Sequence, residues 1–187
     1  MLSFQKGDKA SFEILMRKYF PRVLNFIYRF TGSRETAEEL TQDVFIRVYR
    51  NASYYKPQAK FQTWLFQIAK NLSLNEIRRN KPFMVSIEED IEIGDGAAKR
   101  QIEDLKIPAP DQYLLAEETE IIVKQAIDQL PESQRLAVLL RRYEDFSYEE
   151  IAQSLHCSVK AVKSILSRAR ERLKEQLSDY FKDGKDS

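Results

Sequence analysis

Apolar residues in the first third of the chain recur every three or four positions, as they do on one face of an α-helix. The first such stripe runs through residues 12–30. Gly32 follows as a helix end, and Ser33 is placed to cap the next helix. Pro21 lies inside the stripe and predicts that the helix is kinked or split at this point.

Two further stripes follow the first. One covers residues 37–48, and another begins near Phe61 and ends in basic residues before Pro82, a strong stop signal. Residues 51–60 between them have the composition of a loop. The first third therefore predicts three helical segments in one bundle.

The helical spacing stops at residue 82 and returns after Pro110. Residues 114–130 and 136–143 predict two more helices, with Pro131 between them. Ser147 and Glu150 then have the spacing of a capping box. No segment alternates apolar and polar residues with the period of two that is typical of a β-strand. The pattern therefore predicts an all-α fold of two compact helical domains.

Charge separates the segments further. Residues 1–81 carry a net charge of +8 and residues 82–118 a net charge of −7, although the whole chain is only +1. Such local asymmetry matters more for polyanionic partners than the total does. We predict an N-terminal domain at 1–81, a flexible acidic linker at 82–110 and a C-terminal domain at 111–187.

Composition excludes several kinds of function. A single Cys and a single His allow no internal disulfide and no zinc site built from several such residues. A hydrolase would depend on His156 alone. No apolar run is as long as a membrane span, and the first residues lack the pattern of a signal peptide. We therefore expect a cytoplasmic protein that is not an enzyme and has no cofactor, metal or small-molecule substrate.

Residues 146–173 have the layout of a helix-turn-helix. Ala152 allows two helices to cross closely, and the turn falls at His156, a residue type that tolerates positive φ. The second helix can then enter a major groove of DNA. A helical hairpin with a solvated basic face would show the same spacing. The candidate DNA-binding residues are Lys160, Lys163, Ser164, Ser167 and Arg168.

A polar face on the second helical segment is a candidate protein-binding surface. Glu39, Gln42, Asp43 and Ile46 lie opposite the apolar stripe. They would suit a basic partner, although acidic residues near a helix start are also favoured by the helix dipole alone.

Aromatic and basic residues are interleaved around the loop and the third helix. Aromatic faces stack on unpaired bases and cations follow the phosphates of a single strand. The spacing of Phe61 and Trp64 also suits a core position, whereas Tyr54 and Tyr55 fall in the loop and are expected to be exposed. The full set is Tyr54, Tyr55, Lys56, Lys60, Phe61, Trp64, Lys70, Asn71, Arg78 and Arg79.

Five segments in this order give the chain a family resemblance. They are KGDKASFEILMRKY, AEELTQDVFIRVY, FQTWLFQIAKN, LPESQRLAVLLRRYEDFSYEEIAQSL and SVKAVKSILSRARERL. With them the chain resembles a group IV, or extracytoplasmic-function, bacterial sigma factor. Such a protein binds core RNA polymerase and directs it to promoters.

The resemblance implies a role for each surface. Glu39, Gln42, Asp43 and Phe45 would dock on the clamp coiled coil of the polymerase largest subunit, and the last helix would read the minus-thirty-five element. The linker would thread through the polymerase near the RNA exit path. An anti-sigma factor, often membrane-anchored in this family, is a further expected partner. Five residues fall on the family positions that bind the minus-ten element and capture a flipped base there: Tyr55, Lys56, Phe61, Trp64 and Asn71. Tyr54, Lys60 and Arg78 complete the candidate minus-ten set.

The recognition helix departs from the family pattern. Family members often open this helix with Pro-x-Gly-Thr-Val, where this chain has residues 158–162, and they often have Arg where it has Ile165. A helix-turn-helix repressor with an N-terminal effector or dimerisation domain is the alternative. Such a repressor would need no docking helix at residues 38–47.

Overall fold

The computed structural model describes residues 1–80 and 113–183, and over these ranges the chain is helical with no β-strand. The predicted linker at 82–110 lies outside the described residues. We call residues 1–80 the N-terminal half and residues 113–183 the C-terminal half. The elements are α1 (Leu2–Gln5), α2 (Lys9–Thr31), α3 (Arg34–Arg50), a 3₁₀ turn (Ala52–Tyr54), α4 (Phe61–Asn80), α5 (Tyr113–Asp128), α6 (Glu132–Tyr143), α7 (Tyr148–Leu155) and α8 (Val159–Asp183). The all-α prediction is confirmed.

The helix ends follow the local signals in the sequence. Gly32 ends α2 in the left-handed conformation at φ 77°, and the Ser33 side chain accepts a hydrogen bond from the Thr36 amide at the start of α3. Both features satisfy backbone groups that a helix end leaves unpaired. These two residues therefore fix the corner between the first long helices.

Pro21 does not split α2, which continues from Lys9 to Thr31. The prediction of a split was wrong at this position. Pro21 lies on the exposed side of the helix, where water can replace the backbone hydrogen bond that proline cannot make. The buried side of α2 is uninterrupted and holds the helix together.

The N-terminal half is built around the buried face of α2. Phe26 and Phe30 are almost inaccessible to solvent and belong to the same buried cluster as Val44 of α3 and Leu65 of α4. Full burial of one such side chain stabilises the fold by about 1.5–3 kcal/mol. This core sets the angle at which α3 and α4 present their outer faces.

The C-terminal half packs α5, α6 and α7 against α8. Leu139 and Leu140 of α6 are buried together with Ile151 of α7, and Val162 and Ala169 supply the buried side of α8. The side of α8 that carries Val162 and Ala169 is therefore its packing side. The opposite side of α8 remains exposed.

The two halves pack against each other. α2 contacts α6, and α4 contacts α7. Phe66 of α4 makes edge-to-face contacts with Phe26 on one side and with Phe146 on the other, at ring centroid distances of 5.2 and 5.6 Å. Each such aromatic pair contributes about 0.5–1.5 kcal/mol beyond its burial. One hydrophobic core thus runs through both halves.

Over the described ranges, no helix is long and apolar enough to cross a membrane. The same residues contain no group of three or more His, Cys, Asp and Glu side chains placed to share a metal ion.

Candidate docking and nucleic-acid surfaces

The outer face of α3 carries the predicted polar residues. Glu39, Gln42, Asp43 and Ile46 are all exposed, while Val44 on the other side of the helix is fully buried. The corner at Ser33 orients this face, because it fixes where α3 begins. The result is an acidic strip with one apolar residue at its end.

An open apolar groove lies beside this strip. Phe12 and Met16 of α2 form one wall, and Phe45, Ile46 and Tyr49 of α3 form the other. Phe12 contacts Tyr49 edge to face at 5.2 Å. Tyr49 and Ile46 are about half exposed, so apolar surface and acidic side chains are available to one partner.

Phe45 lies at the bottom of this surface and is only 3% exposed. Its ring stacks on Phe20 at 5.7 Å. Phe45 therefore offers little surface to a partner, whereas Glu39, Gln42 and Asp43 are exposed.

The loop between α3 and α4 presents one aromatic side chain to solvent. Tyr54 is 78% exposed at the end of the 3₁₀ turn. Tyr55 is only 8% exposed, so the expectation that both tyrosines are exposed was wrong for Tyr55. Its hydroxyl donates to the Ala59 carbonyl at 3.2 Å, and burial raises its pKa.

Tyr55 belongs to an aromatic cluster under the loop. Its ring lies 5.2 Å from Trp64 and 5.9 Å from Phe61, and both of these are partly buried. Gln5 of α1 donates to the Ala52 and Tyr55 carbonyls at 2.6 and 2.9 Å and so ties down the loop. The loop backbone is therefore held from below while Tyr54 projects outward.

The predicted polar residues lie in the loop and along α4. Lys56, Asn71 and Arg78 are exposed, and Lys60 is exposed but forms an ion pair with Glu150 of α7 at 3.0 Å. Lys70 is buried, and burial lowers its pKa while the nearby Cys157 acts in the opposite direction. Of the predicted basic residues, Lys56 and Arg78 thus face solvent, whereas Lys60 and Lys70 lie at the contact with the C-terminal half.

The helix-turn-helix prediction is confirmed in its local geometry. The Ser147 hydroxyl accepts from the Glu150 amide at 3.2 Å, and the Glu150 carboxylate accepts from the Ser147 amide at 2.8 Å. His156 ends α7 in the left-handed conformation at φ 55°, and the Ser158 hydroxyl accepts from the Ala161 amide at the start of α8. These contacts fix α8 at an angle to α7.

Glu150 also links the cap to the N-terminal half. Burial raises its pKa, but hydrogen bonds from Ser147 and the ion pair with Lys60 outweigh that effect, so the net pKa lies below its usual value. The carboxylate is therefore ionised at neutral pH.

The outer side of α8 is polar and exposed. A helix mounted in this way can insert into a major groove, with cations and hydroxyls directed at bases or phosphates. All five predicted residues lie on this side: Lys160, Lys163, Ser164, Ser167 and Arg168.

One group of polar contacts has no counterpart in the sequence analysis. Arg22 of α2 forms an ion pair with Glu144 at 2.9 Å, and Gln62 of α4 donates to the Glu144 carbonyl at 3.0 Å. Burial raises the pKa of Glu144 to about 7, although Arg22 acts in the opposite direction. These residues are 82 to 122 positions apart, so no local pattern could have paired them.

Two family models match the chain. Sigma-70 region 2 matches residues 15–83, which include α3, the aromatic loop and α4, and sigma-70 region 4 matches residues 120–173, which include the helix-turn-helix.

Relatives match over nearly the full length. The RNA polymerase sigma-H factor of Pseudomonas aeruginosa is 36% identical over 184 residues, with 96% of this chain and 92% of the relative covered. The extracytoplasmic-function (ECF) sigma-E factor of Escherichia coli K12 is 33% identical over 182 residues, covering 95% and 92%. The sigma-E factor of Haemophilus influenzae is 33% identical, covering 92% and 90%.

Solved structures share the fold. The sigma factor RpoE of Bartonella quintana, in complex with the anti-sigma factor NepR, has a TM-score of 0.65 at 24% identity, covering 90% of this chain and 97% of its own. CnrH, in complex with the cytosolic domain of CnrY, has a TM-score of 0.68 at 19% identity, covering 94% and 92%.

The N-terminal half matches sigma-70 region 2, and the helix-turn-helix of the C-terminal half matches region 4. This combination defines a bacterial transcription initiation factor. The chain belongs to the extracytoplasmic-function family of RNA polymerase sigma factors. It is an alternative sigma factor that binds core polymerase and directs transcription initiation at promoters. Membership of this family decides against the repressor alternative.

Proposed function

We propose that residues 1–81 dock on core polymerase and recognise the minus-ten element, and that residues 111–187 recognise the minus-thirty-five element. Residues 82–110 would join the two domains as an acidic linker. The opposite charges of residues 1–81 and 82–118 support this division, because the first segment suits DNA and the second would be repelled by it.

The docking role of α3 rests on the exposed acidic strip beside the apolar groove. Glu39, Gln42 and Asp43 would pair with polar and basic groups of the clamp coiled coil, and the groove would receive an apolar side chain. Phe45 would line the floor of the groove and hold its shape by stacking on Phe20. A small apolar centre rimmed by polar groups is typical of a protein interface.

The minus-ten role rests on Tyr54, which is highly exposed above a supported aromatic cluster. Stacking of a base on such a ring contributes about 1–3 kcal/mol, which offsets the few kcal/mol needed to flip the base from the duplex. Lys56 is exposed in the loop, Asn71 and Arg78 are exposed further along α4, and all three would bind the strand.

Four more residues complete the proposed minus-ten surface. Tyr55, Phe61 and Trp64 would form the wall and floor of the base pocket, since their rings pack on one another under the loop. Lys60 would contact the strand once its ion pair with Glu150 is released.

The minus-thirty-five role rests on the exposed side of α8. Lys160, Lys163, Ser164, Ser167 and Arg168 lie on one side of a helix that the turn at His156 and the Ser158 cap hold in place. Lys and Arg would bind guanine edges or phosphates, and Ser would bind either.

Three further properties follow from this role: the protein's location, its lack of enzymatic activity and a regulatory partner. The protein acts in the cytoplasm, where core polymerase and promoters are found, and it is a positioning subunit with no enzymatic activity, cofactor or small-molecule substrate of its own. An anti-sigma factor, often membrane-anchored in this family, would be a further partner. The complex of the similar RpoE with NepR supports this proposal.

The docking proposal is tested by the charge reversal Asp43→Lys. We expect affinity for core polymerase to fall at least tenfold, which corresponds to about 1.4 kcal/mol, because a cation replaces a carboxylate in the acidic strip. Fluorescence anisotropy of the labelled protein titrated with core polymerase measures this. Glu120→Lys, the same reversal at an exposed site on α5, is the matched control. Unchanged binding of the Asp43 variant would refute the assignment.

A further inference from the structure

The loop between α3 and α4 is joined to α1 by one side-chain amide. The Gln5 amide nitrogen donates to the Ala52 carbonyl at 2.6 Å and to the Tyr55 carbonyl at 2.9 Å. A carboxamide nitrogen carries two N–H groups, so each carbonyl can receive one of them. The two acceptors lie on either side of Tyr54 in the chain. Gln5 therefore closes over the turn that carries this exposed ring.

The turn has little support of its own. It is a 3₁₀ turn of three residues (Ala52–Tyr54), closed by backbone hydrogen bonds at 3.0 and 3.1 Å. Short 3₁₀ segments have poor hydrogen-bond geometry and fix few residues. Tyr54 is 78% exposed, so its ring is placed by this backbone and not by packing around it. The position of the ring thus depends on what holds the turn.

The neighbour of Gln5 in the chain holds α1 in place. The Phe4 ring lies 4.9 Å from Phe12 of α2 and 5.1 Å from Tyr49 of α3, measured between ring centroids. The chain then reverses at Gly7, whose φ of 98° favours glycine. A helix of four residues is not stable alone, so these contacts fix α1 against the longer helices. They also fix the place from which Gln5 donates.

Gln5 supports the loop without forming part of the core. Gln5 is exposed, whereas Ala52 and Tyr55, whose carbonyls it binds, are each only 8% exposed. Replacing its amide removes no buried apolar group, so we expect the N-terminal half to fold without it. Loss of this contact can therefore be separated from loss of the fold.

An ordered loop binds more tightly than a mobile loop of the same composition. Binding must fix any conformational freedom that the free loop has, and this cost lowers the affinity. A turn that already holds Tyr54 outward avoids that cost. Gln5 would thus strengthen the binding of a base that it does not touch.

We propose that Gln5 is a positioning residue for base capture: its amide holds the turn on both sides of Tyr54, so that the ring is presented to an unpaired base of the minus-ten element. This inference rests on the minus-ten role proposed for Tyr54. Gln5 acts through the loop and not by contact with the strand.

Gln5→Met tests the proposal, because methionine has nearly the same length and shape but no donor. We expect the affinity of holoenzyme for a labelled single-stranded minus-ten oligonucleotide to fall about fivefold, since two hydrogen bonds to the loop are lost. Fluorescence anisotropy measures the affinity, and circular dichroism verifies that the helix content is unchanged. Gln125→Met, the same change at an exposed site on α5, is the matched control and should bind as the unmodified chain does.

A second variant tests the same contact by repulsion. Gln5→Glu places a carboxylate, which only accepts hydrogen bonds at neutral pH, against two carbonyl oxygens. Ser3→Glu adds the same charge at an exposed position of α1 and controls for repulsion between the new carboxylate and DNA phosphates. We expect Gln5→Glu to weaken oligonucleotide binding about threefold more than Ser3→Glu does. Equal losses in the two variants would overturn the proposal.

Combination with Tyr54→Ala separates positioning from general destabilisation. If Gln5 acts through this ring, Gln5→Met should change the affinity of the Tyr54→Ala protein by less than about twofold, because the ring that it positions is gone. Damage to the fold would lower the affinity by the same factor in both backgrounds, and that additive result would overturn the proposal.

The single variants distinguish this inference from the function on which it rests. Weaker binding by Tyr54→Ala together with unchanged binding by Gln5→Met would overturn the positioning role alone. If Tyr54→Ala binds the oligonucleotide as the unmodified chain does, the minus-ten role proposed for Tyr54 fails, and the positioning role of Gln5 fails with it.

Discussion

Tyr54 and Tyr55 are neighbours in the sequence with opposite environments. Tyr54 is 78% exposed, and Tyr55 is 8% exposed with its ring against Trp64. An exposed tyrosine on a loop that is fixed from below can receive a planar ligand without reorganisation. The pair thus separates a side chain available for stacking from one that supports the loop.

Tyr54→Ala should weaken binding of a single-stranded minus-ten fragment to holoenzyme by about 1–3 kcal/mol, because a stacking face is lost. Tyr54→Phe keeps the ring and should retain most of the affinity. Competition binding with a labelled oligonucleotide measures both variants. Equal losses in the two would show that the hydroxyl, and not the ring, makes the contact.

Arg168→Ala should reduce discrimination at one base pair of the minus-thirty-five element by about 1–3 kcal/mol, as expected for a side chain that binds a base edge. Binding to a panel of single-base promoter variants measures this. Arg172→Ala, also exposed on α8, is the control. A loss of the same size at every promoter variant would make Arg168 a phosphate contact instead.

The sequence predicted the conformation or exposure of a residue where neighbouring residues in the chain determine it. His156 takes positive φ as expected, because the turn needs it and histidine tolerates it. Tyr55 was predicted wrongly, since its ring packs on Trp64 across the loop and the loop itself is held by Gln5, 50 residues earlier in the chain. Positions governed by helical periodicity or by neighbours in the chain were predictable, whereas the environment of a loop side chain such as Tyr55 was not.

The capping box formed by Ser147 and Glu150 fixes where α7 begins. α7 has only eight residues, so its own backbone hydrogen bonds stabilise it little. Ser147 and Glu150 satisfy two amides that would otherwise be unpaired. The position of the whole helix-turn-helix depends on this cap.

Ser147→Ala should lower the free energy of unfolding by about 1 kcal/mol, the usual effect of removing an N-cap hydroxyl. Urea denaturation followed by circular dichroism measures the change. The control Ser53→Ala removes an exposed hydroxyl outside a helix cap and should have little effect. Identical midpoints for the two variants would contradict the role given to the cap.

Helix boundaries were predicted well where capping residues mark them, as at Ser33 and Ser147. Pro21 shows the limit of this approach. A proline inside a stripe predicts a break, but burial of residues on both sides of it keeps α2 continuous. Tertiary packing therefore overrides a local signal when the proline faces solvent.

The arrangement of the two halves depends on contacts that the sequence does not reveal. Arg22 and Glu144 are 122 positions apart, and each lies in a segment whose local pattern is fully explained by its own helix or turn. The candidate surfaces on α3 and α8 were predictable from periodicity. Their relation to each other was not, because it follows from side chains that meet only in the folded chain.

Glu144 makes stability depend on pH. Burial raises its pKa to about 7, above the usual value of 4.5, with Arg22 and Arg29 acting in the opposite direction and Asp145 adding to the rise. The folded protein then holds a proton that the unfolded protein has lost, so the contribution of Glu144 is largest below pH 4.5 and declines as the pH rises through 7.

Glu144→Gln should remove this dependence, because glutamine stays neutral at every pH. We expect the difference in free energy of unfolding between variant and original protein to change by about 2 kcal/mol between pH 5 and pH 8, in favour of the variant at high pH. Urea denaturation at a series of pH values measures it. Parallel pH profiles for the two proteins would show that Glu144 titrates normally.

Transcription by core polymerase on fragmented genomic DNA, with and without this protein, is the most direct measurement of its function. Mapping of the RNA 5′ ends should show a defined set of start sites that require both the polymerase and this chain. Starts that do not change when the protein is added, together with tight binding of the protein alone to duplex DNA, would contradict its role as a sigma factor.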